Sequence, residues 1–130
     1  MLTGEITIRV RYSECDPMGV AHHTAYPVWL EMGRTELLRA TGQTYREFEE
    51  AEIFLAVVEL SVKYRRPARY DDLLTLRTTL RGTSRVKIEH GYELYRDDEL
   101  LASAATTLAC LDRSGRAIAL PESIALDARA

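Results

Sequence analysis

Asp16 and His23 stand seven residues apart in the stretch Tyr12-Ser13-Glu14-Cys15-Asp16-Pro17-Met18-Gly19-Val20-Ala21-His22-His23-Thr24-Ala25-Tyr26. Two acids, two imidazoles, a glycine and two tyrosines share one connection. A carboxylate beside an imidazole is what general acid/base chemistry uses, and a carboxylate can also act as a nucleophile. Gly19 would let a substrate approach the backbone closely. The plain alternative for Asp16 is a turn cap, since Asp-Pro is a common turn opening. Cys15 offers a thiol in the same stretch. The spacing of Glu14, Asp16, His22 and His23 matches no standard metal-ligand set, and Cys15 and Cys110 form no C-x-x-C pair, so neither a metal nor a disulfide framework is expected. The run Gly82-Thr83-Ser84-Arg85-Val86 lacks the final glycine of a G-x-S-x-G serine elbow. No P-loop and no G-x-G-x-x-G is present, and no cofactor is expected.

The elements around this stretch can be read from periodicity. Ile6, Ile8 and Val10 alternate with Thr7, Arg9 and Arg11, which predicts a half-buried strand over 5–11. After the motif, Tyr26, Leu30, Gly33, Leu37 and Ala40 recur at helical spacing, with Trp29 widening the apolar face and Glu31, Arg34 and Glu36 mostly away from it. Thr24 is placed to cap that helix, Pro27 to sit in its first turn and Gly42 to stop it. Gly33 inside a helix suggests a close backbone approach. A short helix is expected over 44–50. Thereafter the period is two. Val58, Leu60, Val62 and Tyr64 form one inward set; Leu74, Leu76, Thr78 and Leu80 another; Val86, Ile88, Tyr92 and Leu94 a third. Residues 100–111 are apolar on both faces, as in a central strand. A short strand is predicted over 116–119, and 123–130 reads as a tail. The order is α+β: one strand, one long helix, then four or more antiparallel strands. One helix cannot cover both faces of such a sheet, so the sheet should wrap the helix with one face and leave the other, or an edge, for a second copy.

Composition narrows the function classes. The chain has 130 residues, 46% hydrophobic and 28% charged, ordinary values for one globular domain over 1–130 with a core over about 5–119. A net charge of −3 gives no general attraction to nucleic acid. No apolar run is long enough to span a bilayer, and 1–5 lacks the basic and apolar regions of a signal peptide, so a cytoplasmic location is expected.

The motif, followed by Trp29-Leu30-Glu31 and Arg34, resembles that of the hotdog-fold acyl-CoA thioesterases of the 4-hydroxybenzoyl-CoA thioesterase branch. Tyr12, Glu14, Cys15, Asp16, Gly19, Val20, His23, Tyr26, Glu31 and Arg34 carry the resemblance, and Tyr64-Arg65-Arg66-Pro67-Ala68-Arg69-Tyr70-Asp71-Asp72 is similar to a second recurring stretch of that family. It implies a hotdog fold, with an antiparallel sheet of five or six strands around one long central helix. It further implies hydrolysis of a short, medium-chain or aromatic acyl-CoA, and a homodimer or homotetramer with sites at subunit interfaces.

By the same resemblance, Asp16 matches the catalytic aspartate, as base or nucleophile, and His23 the histidine that orients the thioester. Backbone N–H groups over 19–24, aided by the start of the helix, would complete an oxyanion site. Tyr12, Gly19, Val20 and Tyr26 would line the substrate, with Glu31 near the site across the interface. Arg81, Ser84 and Arg85 match the better candidate for the nucleotide phosphates, ahead of Arg65, Arg66 and Arg69. Cys15 reads as packing, because threonine often stands there and cannot replace a thiolate, and His22 reads as a neighbour pointing away from His23. Two alternatives stay open: a hotdog dehydratase acting on hydroxyacyl thioesters, and an acyl-thioester binding protein without turnover.

Overall fold

The computed structural model describes residues 2–129; Met1 and Ala130 lie outside the described residues. The chain runs β1 (Leu2–Arg9), a single 3-10 turn (Tyr12–Glu14), α1 (Ala25–Ala40), α2 (Tyr45–Glu50), β2 (Phe54–Tyr64), β3 (Leu73–Thr83), β4 (Lys87–Arg96), β5 (Glu99–Leu111) and α3 (Glu122–Arg129). The strands form one five-stranded antiparallel sheet in the order β1-β3-β4-β5-β2. β5 is an inner strand, which explains its two apolar faces, and β1 and β2 are the edges.

The 16-residue α1, about 24 Å long, lies against one face of the sheet. Its first half covers an apolar cluster of Ile8, Trp29, Leu30, Leu74, Leu76 and Leu94. Its second half covers Leu37, Leu80, Ile88 and Leu108, with Ile124 of α3 joining them. Gly33 sits where α1 comes closest to the sheet: a Cβ there would collide with Thr78 Oγ1 and come within 2.7 Å of a Leu76 methyl. Gly42, at φ +89°, ends the helix in the left-handed conformation that glycine adopts without steric cost.

Several expectations change. The segment read as a tail from Ser123 is instead helix α3, held by Ile124, which is 3% exposed. Ile124 and the partly buried Ala128 join the cluster under the second half of α1, a pattern too short to stand out as periodic in the sequence. The strand expected over 116–119 reduces to one bridge between Ala117 and Leu111. Val58 does not join the inward set of β2, because a bulge between Val57 and Glu59 shifts the register. Thr24 occupies the N-cap position but its hydroxyl caps no backbone N–H. Arg34, expected to face mostly away from the core, is 8% exposed. It lies in a polar belt under the middle of α1 with His90, Thr78 and Thr106.

Candidate active site

The motif forms a tight hairpin-like loop clamped between the start of α1 and the β2–β3 connection. Within it, Asp16 N–H donates to Val20 O at 2.9 Å and His22 N–H to Glu14 O at 2.7 Å. The loop is tied to residues 68–72 by Ala21 N–H donating to Ala68 O at 2.7 Å and Tyr70 N–H to Gly19 O at 3.1 Å, with Val20 bridged to Arg69. Glu14 anchors it to the helix. Its carboxylate accepts from Arg11 N–H at 2.8 Å and from the Trp29 indole N–H at 2.9 Å. Partial burial pushes the Glu14 carboxyl up, but these bonds and the Arg11 guanidinium outweigh it and hold the group below its ordinary value.

Asp16 is partly buried. Its Oδ1 accepts from Met18 N–H at 2.9 Å and from Val20 N–H at 3.3 Å. The turn-capping expectation is met through one oxygen, which fixes the carboxylate on the loop, and Oδ2 has no hydrogen-bond partner among the described residues. Gly19, at φ +78°, makes this turn possible.

His23 is exposed, and its ring packs beside that of His22, with centroids 4.2 Å apart and a 34° tilt. The expectation that the two rings point apart fails because the chain turns here rather than running extended. His22 instead braces the entrance to α1. Its Nδ1 accepts from Thr24 N–H at 3.2 Å and lies 2.9 Å from the Thr24 hydroxyl. The expected set of oxyanion donors narrows sharply. The N–H groups of Gly19, Val20, Ala21, His22 and Thr24 are all bonded within the chain. Over residues 19–24, His23 N–H alone is unpaired among the described residues.

The thiol of Cys15 is pushed up by burial and by the carboxylates of Glu14, Asp16 and Asp72. A thiol held protonated is a poor nucleophile, which agrees with the packing reading.

The other predicted residues divide into near and far. Tyr26 is buried, packed edge-to-face on Tyr64 with centroids 4.8 Å apart, so in this chain it is core. Tyr12 is 81% exposed and meets Tyr70 edge-to-face at 5.6 Å. Tyr64, which the sequence did not single out for the site, reaches the loop: its hydroxyl donates to His23 O at 3.4 Å. Glu31 is exposed, 3.7 Å from the Arg34 guanidinium, and lines a cleft of about 250 Å³ with Arg34, Thr35, Tyr45, Glu49 and Leu55. Arg81, Ser84 and Arg85 are at the far end of β3, whose span is about 33 Å at ~3.3 Å per residue. Arg81 lies flat across Gly91, where a Cβ would collide with its guanidinium. Ser84 Oγ accepts from Lys87 N–H at 3.2 Å and closes the β3–β4 turn. Within one chain, then, the structure gathers Asp16, Gly19, Val20, His23, Tyr12 and Tyr26, and leaves Arg81, Ser84 and Arg85 remote. Among the described residues no group of three His, Cys, Asp or Glu side chains is placed to hold a metal ion.

The chain is thus an α+β domain, a five-stranded antiparallel sheet carrying one long helix on a single face, with a held carboxylate and an exposed imidazole near the helix entrance. The model of the thioesterase-like superfamily matches residues 10–126, and the chain belongs to that family. It is 32% identical over 121 residues to the acyl-CoA thioester hydrolase YbgC of Escherichia coli O6:H1, covering 90% of this chain and 89% of that one. Among solved structures it is similar to a hypothetical protein, TT1821, from Thermus thermophilus (TM-score 0.90, 35% identity, 98% and 95% of the two chains). It is also similar to the DHNA-CoA thioesterase of Staphylococcus aureus (TM-score 0.89, 29% identity, 92% and 82%). Among the described residues no helix is long and apolar enough to cross a membrane.

Proposed function

We propose that this chain is a hotdog-fold acyl-CoA thioesterase that cleaves a short, medium-chain or aromatic acyl-CoA to the free acid and coenzyme A. The observation that carries this reading is the Asp16 carboxylate, fixed through Oδ1 and open at Oδ2, on a loop that ends beside an exposed imidazole. Thioester cleavage asks for little more. A thiolate with a conjugate-acid pKa of about 8.5 leaves readily, so the enzyme must activate the attacking oxygen and stabilise the developing oxyanion.

In the base form of the mechanism, Asp16 Oδ2 takes a proton from water, the water oxygen bonds to the acyl carbon, and the C–S bond breaks with its electron pair on sulfur. In the nucleophile form, Oδ2 itself bonds to the acyl carbon and the C–S bond breaks with its electron pair on sulfur, giving an anhydride and the thiolate; water then cleaves the anhydride to the free acid and restores the Asp16 carboxylate. His23 holds the thioester carbonyl in either case, and its backbone N–H, the one without a partner over residues 19–24 among the described residues, meets the oxyanion.

The site is open to solvent in one chain, with Tyr12 and Met18 each 81% exposed beside it. That exposure, together with the edge strand β2 and its exposed Val57, Val58 and Leu60, supports a dimer or a dimer of dimers in which a second copy covers the loop. Glu31, Arg81, Ser84 and Arg85 would serve a site only through such a partner. The chain needs no cofactor for this chemistry and would work in the cytoplasm.

A thiol-release screen across acyl-CoAs of varied length and aromaticity tests the reading. Turnover abolished by Asp16→Asn, in a variant with unchanged oligomeric state, supports it. Wild-type rates in that variant, or enoyl product from hydroxyacyl-CoA in place of free thiol, overturn it.

A further inference from the structure

Most of the motif loop is tied to the β2–β3 connection through its backbone: Ala21 to Ala68, Gly19 to Tyr70 and Val20 to Arg69. Residue 23 is held differently. Over residues 19–24 its N–H is the one without a partner among the described residues, and its ring is exposed. Its carbonyl accepts from Tyr26 N–H at 3.4 Å, longer than the usual N–H···O bond. Among the described residues one side chain reaches that carbonyl. It is Tyr64, 41 residues away in the chain, whose hydroxyl donates at 3.4 Å.

Tyr64 is anchored on the sheet, not on the loop. It is the last residue of β2 and is paired with Ala102 of β5. The two residues after it, Arg65 and Arg66, both donate their N–H to Leu101 O, at 2.8 and 3.0 Å. Its ring stands edge-on to Tyr26, with planes at 86° and centroids 4.8 Å apart, a geometry that aromatic pairs favour. Tyr26 is 4% exposed and packs at 4.9 Å on Trp29, whose indole N–H donates to Glu14 at 2.9 Å. A path of ladder bonds and fixed rings thus runs from the inner strand β5 through Tyr64 to the His23 backbone.

The hydroxyl contributes little to holding the fold together. Tyr64 is 52% exposed, so water replaces a bond of this length at little cost. What the bond controls is orientation. It fixes the carbonyl of the residue whose N–H and imidazole would meet the thioester, and such bonds are often long in a free enzyme and tighten in the substrate complex.

We infer that Tyr64 is a positioning residue that acts through His23, holding its backbone so that the N–H and the ring stay aimed at the thioester carbonyl. The inference rests on the thioesterase reading for its reaction, and on contacts within one chain for its geometry.

Tyr64→Phe keeps the ring on Tyr26 and removes only the hydroxyl. It is expected to lower kcat for thiol release about tenfold, a fraction of the 10²–10³-fold that losing an oxyanion donor outright costs. KM, melting temperature and oligomeric state stay nearly unchanged, a split that a packing role does not produce. Two analogues separate orientation from packing. A trifluoromethyl ketone analogue of the acyl-CoA, whose hydrate anion resembles the tetrahedral intermediate, binds the variant about tenfold more weakly than the wild type. An S-alkyl-CoA thioether, which has no thioester carbonyl, binds both equally. A third measurement needs no turnover: NMR relaxation dispersion of the His23 amide shows microsecond–millisecond exchange in Tyr64→Phe that the wild type lacks. If that exchange appears while Asp16→Asn leaves turnover intact, Tyr64 still holds His23, and it is the thioesterase reading that falls. Wild-type kcat in Tyr64→Phe, equal losses of affinity for the two analogues, or an unchanged His23 amide overturns the inference. So does a loss of kcat that comes only with a changed oligomeric state, because Tyr64 then serves a contact between subunits.

Discussion

The motif loop and the polar belt under the middle of α1 each collect titratable groups, yet they treat them in opposite ways. In the loop, Asp16 is partly buried and His23 exposed, and the carboxylate keeps one oxygen uncommitted while backbone N–H groups hold the other. In the belt, Arg34 and His90 are 8% and 5% exposed. Burial pushes the Tyr45 hydroxyl up to about 12. Burial first, and then the Arg34 charge, drive the His90 imidazole down to about 4. His90 Nδ1 and Thr78 Oγ1 have no hydrogen-bond partner among the described residues. The strongest shifts thus fall in the buried belt, while the carboxylate proposed for chemistry is marked by its geometry. Burial alone shifts a pKa; catalysis also requires access.

Substitutions can break this contrast from either side. The largest effect is expected at Asp16. Asp16→Asn keeps an Oδ1 acceptor for Met18 and Val20, so the loop should hold, while turnover falls by about 10²–10⁴-fold, the usual worth of a positioned base. Steady-state thiol release together with thermal melting checks both halves.

Next comes the belt, through pH. The folded chain binds the His90 proton only below about 4, and the unfolded chain does so below about 6.5. Between those values the unfolded state carries the extra proton, so stability is complete above pH 6.5 and falls as pH drops toward 4. The loss approaches about 3 kcal/mol. Urea denaturation of the wild type and of His90→Gln at several pH values measures it; an unchanged acid slope in the variant would remove His90 as the cause.

A steric test follows at Gly33. Gly33→Ala drives a methyl into Thr78 and Leu76 and should cost about 1–3 kcal/mol by overpacking, read as a lower denaturant midpoint. The smallest effect is expected at Glu14. Glu14→Gln removes the charge from the bonds to Arg11 and Trp29 and should cost about 1 kcal/mol, with a KM increase larger than any fall in kcat as the loop loosens.

The strands and α1 were legible because their apolar positions repeat. Leu74, Leu76, Thr78 and Leu80 are all buried as the alternation requires, and the helical face of Tyr26, Leu30, Gly33 and Leu37 meets the sheet. Arg34 was misplaced because a charged residue reads as solvent-facing unless its surroundings are known. His90 was passed over because an imidazole interrupts the apolar set of Ile88, Tyr92 and Leu94 without breaking the alternation. Tyr64 reads as one more strand residue until the fold carries it to the carbonyl of His23.

The sequence by itself carried the resemblance that implies thioester chemistry, through a carboxylate, an imidazole and a turn glycine at the family's spacing before a helix. It also determined the α+β order, because side-chain periodicity is a local property. Only the tertiary structure decided which loop donors remain free, which oxygen of Asp16 is open, and which arginines are paired. Those depend on hydrogen bonds and ion pairs between segments far apart in the chain, such as Ala21 with Ala68 and Arg66 with Glu99, and no local pattern encodes such pairings.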